Sequence, residues 1–90
     1  MSAVTDNETA HRFELEEEGA VAFATYRRAG DTFTIPHVEA AAALRGKGTA
    51  GRLMEGIAAL ARARGCKITP TCSYAIAWFR RHPDAADLLA

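Results

Sequence analysis

The sequence predicts an α+β fold, a mainly antiparallel sheet built from three strands, then a helix, a strand and a second helix. Three observations carry this reading. Apolar and polar residues alternate in three runs that end at Glu39, the apolar spacing changes to three and four from Thr49 onward, and turn signals part the runs. Ninety residues hold one domain with one modest core and are too few for a doubly wound dinucleotide-binding domain plus a substrate domain. With 49% apolar and 24% charged residues, the composition is that of a folding globular chain and not of a disordered tail.

Residues 1–10 are polar and without periodicity, so they read as a flexible leader to a single domain over 11–90. "RFELEE" alternates Phe13 and Leu15 against Arg12, Glu14 and Glu16, the period of a half-buried strand, and "EEGA" turns it. "AVAFATYR" suits a second strand, with Val21 and Phe23 on one face and Tyr26 on the other. "RRAGD" then closes a hairpin to "TFTIPHVE", in which period two puts Phe33, Ile35 and His37 on one face. Pro36 has no N–H for a ladder and implies an edge, a bulge or a strand parting from its neighbour.

From Thr49, residues Ala50, Leu53, Met54, Ile57, Ala58, Leu60 and Ala61 form the stripe of an amphipathic helix. Arg62 and Arg64 suit its C-terminal dipole and Gly65 its left-handed cap. "CKITPT" reads as a short strand with Cys66 and Ile68 inward. Ser73 is placed to cap a helix "YAIAWFRRH" that stops before Pro83, and Asp84 to cap a last short turn. Trp78 and Phe79, with Tyr74 and Ile76, read as the packed face of that helix.

No apolar run approaches the roughly 20 residues of a membrane span, and the first residues are not a basic-then-apolar signal, which points to a cytoplasmic protein without a membrane partner. An extended segment at about 3.3 Å per residue sets Cys66 and Cys72 roughly 20 Å apart, so they read as reduced thiols. No CxxC pair is present, and no metal site is assigned.

Charge is unevenly spread. Residues 1–26 carry six acids against Arg12, and residues 41–82 carry eight bases against Glu55. A field of that sign favours a phosphorylated ligand or nucleic acid at the second half. A nucleic-acid module ranks lower, because the bases are not interleaved with exposed aromatics and the acidic first strand repels a phosphate backbone.

The stretch "LRGKGTAGRLM" matches G-x-G-x-x-G, but no Asp or Glu lies between Glu55 and Asp84 to take a ribose hydroxyl, which removes the dinucleotide fingerprint. Gly46 and Gly51 at P-loop spacing are followed by Arg52 and Leu53 in place of Lys and a metal-binding hydroxyl. The overlapping frame Arg45, Gly48, Ala50 resembles the R/Q-x-x-G-x-G/A pyrophosphate loop of the acetyl-CoA-dependent N-acetyltransferases related to Gcn5. The physics is independent of the family: a helix start offers unpaired N–H groups and partial positive charge, and glycines admit an anion close to the backbone. Arg45, Gly46, Lys47, Gly48, Thr49, Ala50 and Gly51 are the candidate cradle, and it requires no metal.

The resemblance continues through "IPHVEAAAALRGKGTAGRLM" and "ARARGCKITPTCSYAIAWFRRHPD", about residues 32–84. This ordered set, a histidine before the glycine loop, a P-x-C element and an RRHP ending, is similar to the small single-domain acetyltransferase-like family. It implies a reduced acetyltransferase fold, acetyl-CoA as cofactor, an open site for an amine acceptor, and Cys72 toward the acetyl end of the cofactor.

Acetyl transfer from a thioester needs a neutral amine, support for the carbonyl oxygen and a proton for the leaving thiolate. The backbone of Val38, where Pro36 splays the strands, is the candidate oxygen donor, and His37 or Glu39 the candidate base. His37 equally reads as a packed histidine and Glu39 as plain surface. Cys72, at a helix start whose field favours thiolate, is either a nucleophile or thioester neighbour, or a small packed residue. Arg80, with Arg81 and His82, either touches the cofactor's adenosine phosphates or complements its own helix dipole. The fold equally serves a regulatory domain that binds CoA without turnover.

Overall fold

A computed structural model of the chain describes residues 3–90. Five strands form one sheet in the order β1 (Thr5–Asn7), β2 (Arg12–Glu17), β3 (Ala20–Ala29), β4 (Thr32–Ala40), β5 (Lys67–Pro70). Neighbours are antiparallel except β4 and β5, which run parallel and are joined by the crossover helix α1 (Thr49–Arg64). Helix α2 (Ser73–Arg81) follows β5, and a 3-10 turn over Pro83–Leu88 leads to Leu89, which bridges to Ile68.

The alternation read along β2 to β4 sets one apolar face. Phe13, Leu15, Ala22, Ala24, Tyr26, Phe33 and Ile35 meet Leu53, Met54 and Ile57 of α1 and Trp78 and Phe79 of α2 in a single buried cluster. On β3 the core side is therefore the alanines and Tyr26, while Val21 and Phe23 face outward, with the Arg12 guanidinium 4.5 Å from the Phe23 ring centre. Cys66 and Ile68 are inward as read from "CKIT", and Gly65 caps α1 in the left-handed conformation.

Three expectations change. The leader is not structureless: Thr5–Asn7 pairs with Arg12–Glu14 as an edge strand, and Asp6 accepts from Tyr26 Oη at 2.5 Å and from Arg64 at 2.8 Å. Met1 and Ser2 of that leader lie outside the described residues. Neither cap is the predicted one: α2 is capped by Cys72 and not Ser73, with Cys72 Sγ accepting from Ala75 N at 3.3 Å, and the last turn starts from His82 with no side-chain cap bond, Asp84 lying inside its first turn.

The third change concerns β4. Thr25 pairs with His37 but Arg27 with Thr34, so one extra residue sits on β4 opposite Tyr26. A bulge of this kind reverses the alternation beyond it. Phe33 and Ile35 stay in the core, whereas His37 leaves their face and stands exposed on the other side, 6.1 Å from the Phe23 ring. Pro36, exposed at the bulge, is the residue that donates nothing to the ladder.

Candidate functional site

The segment from β4 to α1 makes a cleft. Leu44 anchors its base, fully buried at the end of a 3-10 turn over Ala42–Leu44. Gly46 and Gly48 then take φ +77° and +78°, a region that L side chains avoid, which bends the chain back on itself before α1. Gly48 caps α1 without a side chain, no acid stands in the first turn, and the first backbone bond runs from Arg52 N to Gly48 O at 3.1 Å. The amides of Thr49, Ala50 and Gly51 are thus left to an outside acceptor. Ala40, Leu44, Arg45, Gly46, Gly48–Gly51 and Tyr74 enclose about 270 Å³ there. A polarised set of N–H groups around a small cavity fits an anion.

The predicted loop residues divide. Gly46, Gly48, Ala50 and Gly51 line the cleft, and so does Arg45, which pairs with no carboxylate among the described residues. Lys47 does not line it: its Nζ lies 3.1 Å from both oxygens of Glu18. Thr49 also borders the cleft, with its hydroxyl engaged in donating to Glu17 at 2.7 Å. Arg52, which from sequence only argues against a P-loop, donates from Nε and Nη2 to the two Glu17 oxygens at 2.7 Å and from Nη2 to Lys47 O at 2.8 Å. The Arg52 guanidinium, then the Thr49 hydroxyl, hold the Glu17 carboxyl down at about 2. The short turn Glu18-Gly19 between β2 and β3 brings both acids to the start of α1.

A second feature lies at the end of β5. Its parallel pairing with β4 stops at Ile35 and Pro70, and the amides of Thr71 and Cys72 both converge on Ile35 O, at 3.0 and 3.3 Å. Beyond this fork β4 continues from Pro36 to Ala40 paired only to β3, and Val38 lies on that stretch opposite Ala24. Pro36 thus marks both a bulge and a parting of strands. Cys72 sits half-buried in the fork as the α2 cap. Tyr74 packs against the core as its helix position implies and also reaches the cleft, its hydroxyl 3.8 Å from where a Cβ on Gly51 would stand.

His37 and Glu39 come together as an exposed pair, Nε2 to Oε1 3.0 Å, on the face turned from the core. The bulge therefore separates the His37 ring from the packed side on which α2 and Cys72 lie. Arg80 and Arg81 are exposed in the last turn of α2. Much of the basic surplus of the second half is matched locally: Lys47 with Glu18, Arg52 with Glu17, Arg64 with Asp6, and Arg62 with Asp87.

A five-stranded, mostly antiparallel sheet, one parallel pair forked around a helix cap, and a cleft at the uncapped start of the crossover helix define an acetyltransferase-like α+β protein. The chain belongs to the GCN5-related N-acetyl-transferase family, whose model matches residues 12–88. No curated protein sequence matches it. No helix among the described residues is long and apolar enough to cross a membrane.

Proposed function

We propose that the protein is an acetyl-CoA-dependent N-acetyltransferase that binds the CoA pyrophosphate between Arg45 and Gly51. The observation that carries this is the uncapped start of α1 behind left-handed Gly48, facing a cleft of about 270 Å³, in a chain of this family. Acetyl-CoA supplies, when bound, an acetyl group activated as a thioester. The amides after Gly48 and the Arg45 guanidinium hold the diphosphate, and Arg80 approaches the adenosine phosphates. Val38, on the stretch of β4 that β5 has left, offers backbone to the carbonyl oxygen. Cys72 neighbours the thioester at the fork, and His37 or Glu39 takes the proton from the acceptor amine. The chain acts as one domain in the cytoplasm, with the edge strand Thr5–Asn7 belonging to its sheet.

The position of His37 favours a second reading. With its ring on the outer face, the candidate base is not gathered with Cys72, as a domain that binds CoA without turnover would have it. Calorimetry with acetyl-CoA tests the cradle: binding in the wild type and its loss in Gly48→Asp is expected. No binding at millimolar ligand, or unchanged binding in the variant, removes the assignment. Release of free CoA thiol with a panel of amines then separates transferase from binding domain.

A further inference from the structure

The contacts of Arg52 bear on how the cradle keeps its donors aimed, and this inference rests on the reading of the cleft as a pyrophosphate site. Arg52 faces away from the cleft and lies in a different groove, beside Glu17, Glu55 and Gly56. Its Nη2 nevertheless holds the Lys47 carbonyl oxygen at 2.8 Å. The peptide from Lys47 to Gly48 is trans, so its C=O and N–H point in opposite directions. Fixing the oxygen on the Arg52 side turns the Gly48 N–H to the side of the cleft, which Gly48 lines. A carbonyl flipped the other way would set negative charge where a phosphate oxygen must stand.

Two anchors keep Arg52 in this role. Both Glu17 oxygens accept from it at 2.7 Å, and Glu17 also takes the Thr49 hydroxyl, tying the first turn of α1 to the end of β2. Gly48 leaves the room: a Cβ there would stand 3.1 Å from Arg52 Nη1. We infer that Glu17 and Arg52 form a strap that positions the Lys47–Gly48 peptide so that the cradle is preformed before any anion arrives.

The sign of one substitution separates this role from charge alone. Glu17→Ala removes a negative charge near the site, so simple electrostatics predicts tighter anion binding, and an Arg52 freed to bind phosphate directly predicts the same. The strap predicts weaker binding. Calorimetry on the full chain is expected to show CoA affinity down at least about tenfold in Glu17→Ala, with affinity for pantetheine, which lacks the pyrophosphate, unchanged. Arg52→Lys keeps the charge but has no planar fork to span Glu17 and Lys47 O, and is expected to lose CoA affinity likewise. CoA affinity unchanged or raised in Glu17→Ala, or pantetheine affinity lost in parallel, overturns the inference. A merely unfolded variant is recognised by its melting curve, and Arg52→Lys then decides. The ligand-free protein gives an independent readout: backbone order parameters at residues 46–48 are expected to fall from about 0.85 toward 0.6 in Glu17→Ala. If wild type binds no CoA yet this fall occurs, the cofactor reading fails and the strap stands; if the order is unchanged, the strap fails.

Discussion

Replacing Gly48 by Ala tests whether the left-handed helix start is a requirement or an accident of the chain. An L residue at φ +78° costs about 1–2 kcal/mol, and the reduced freedom of the unfolded chain returns about 0.4–1 kcal/mol of that. The net loss is about 1 kcal/mol, which for a domain of this size lowers Tm by about 4–8 °C. Gly46→Ala carries the same backbone cost at φ +77°, but its Cβ meets nothing within 4 Å, whereas at Gly48 the Cβ meets Arg52 Nη1 at 3.1 Å. Arg52 is held by Glu17 and Lys47 O and does not simply swing away. Thermal melts followed by circular dichroism should therefore show both variants destabilised and Gly48→Ala the more so. A Gly48→Ala melt that superimposes on wild type, or a larger loss at Gly46 than at Gly48, refutes the reasoning.

Gly56→Ala would ordinarily favour a helix interior by about 1 kcal/mol, but here the new Cβ would stand 2.2 Å from Val4 Cγ2, so it is expected to lower Tm and detach the segment before β1, seen as new protease cleavage near residues 3–7. Cys72→Ser supplies a better cap than the thiol for the Ala75 amide and is expected to hold or raise Tm; a loss of acetyl transfer in that stable variant would assign the thiol to chemistry and not to capping. Burial, then the Asp6 hydrogen bond, pushes Tyr26 up to about 12, so its neutral form is favoured in the fold and its contribution is complete below pH 10 and lost between about 10 and 12. Tyr26→Phe should flatten the alkaline unfolding profile in that window, and a profile as steep as wild type would place the transition elsewhere.

Most of the sheet could be read from local pattern because period-two alternation and turn residues are local quantities. "RFELEE" forms Arg12–Glu17 and "TFTIPHVE" falls within Thr32–Ala40, while the helix from Thr49 ends at the predicted glycine. His37 was misplaced for a physical reason: one bulge inverts every later side chain, and Pro36 signals a bulge, an edge or a parting without saying which. β1 was missed because three polar residues show no period, and only the pairing with β2 and the Tyr26 and Arg64 bonds to Asp6 make them a strand. The strap joins residues 35 apart, and its one sequence trace is the acid excess of Glu14–Glu18 against the bases of 45–52.

By itself the sequence determined the fold class, the order of strands and α-helices from residue 12 onward, the glycines that bend the chain before α1, and the family. Those follow from spacing, from glycine's freedom at positive φ and from unpaired amides at a helix start, all properties of a few consecutive residues. Tertiary structure decided the rest: that Lys47 pairs with Glu18, that Tyr74 lines the cleft, that His37 lies outside it, and that Arg52 bonds both Glu17 and the Lys47 carbonyl. Each depends on which strand end meets which helix end, a distance between remote residues that no local period encodes.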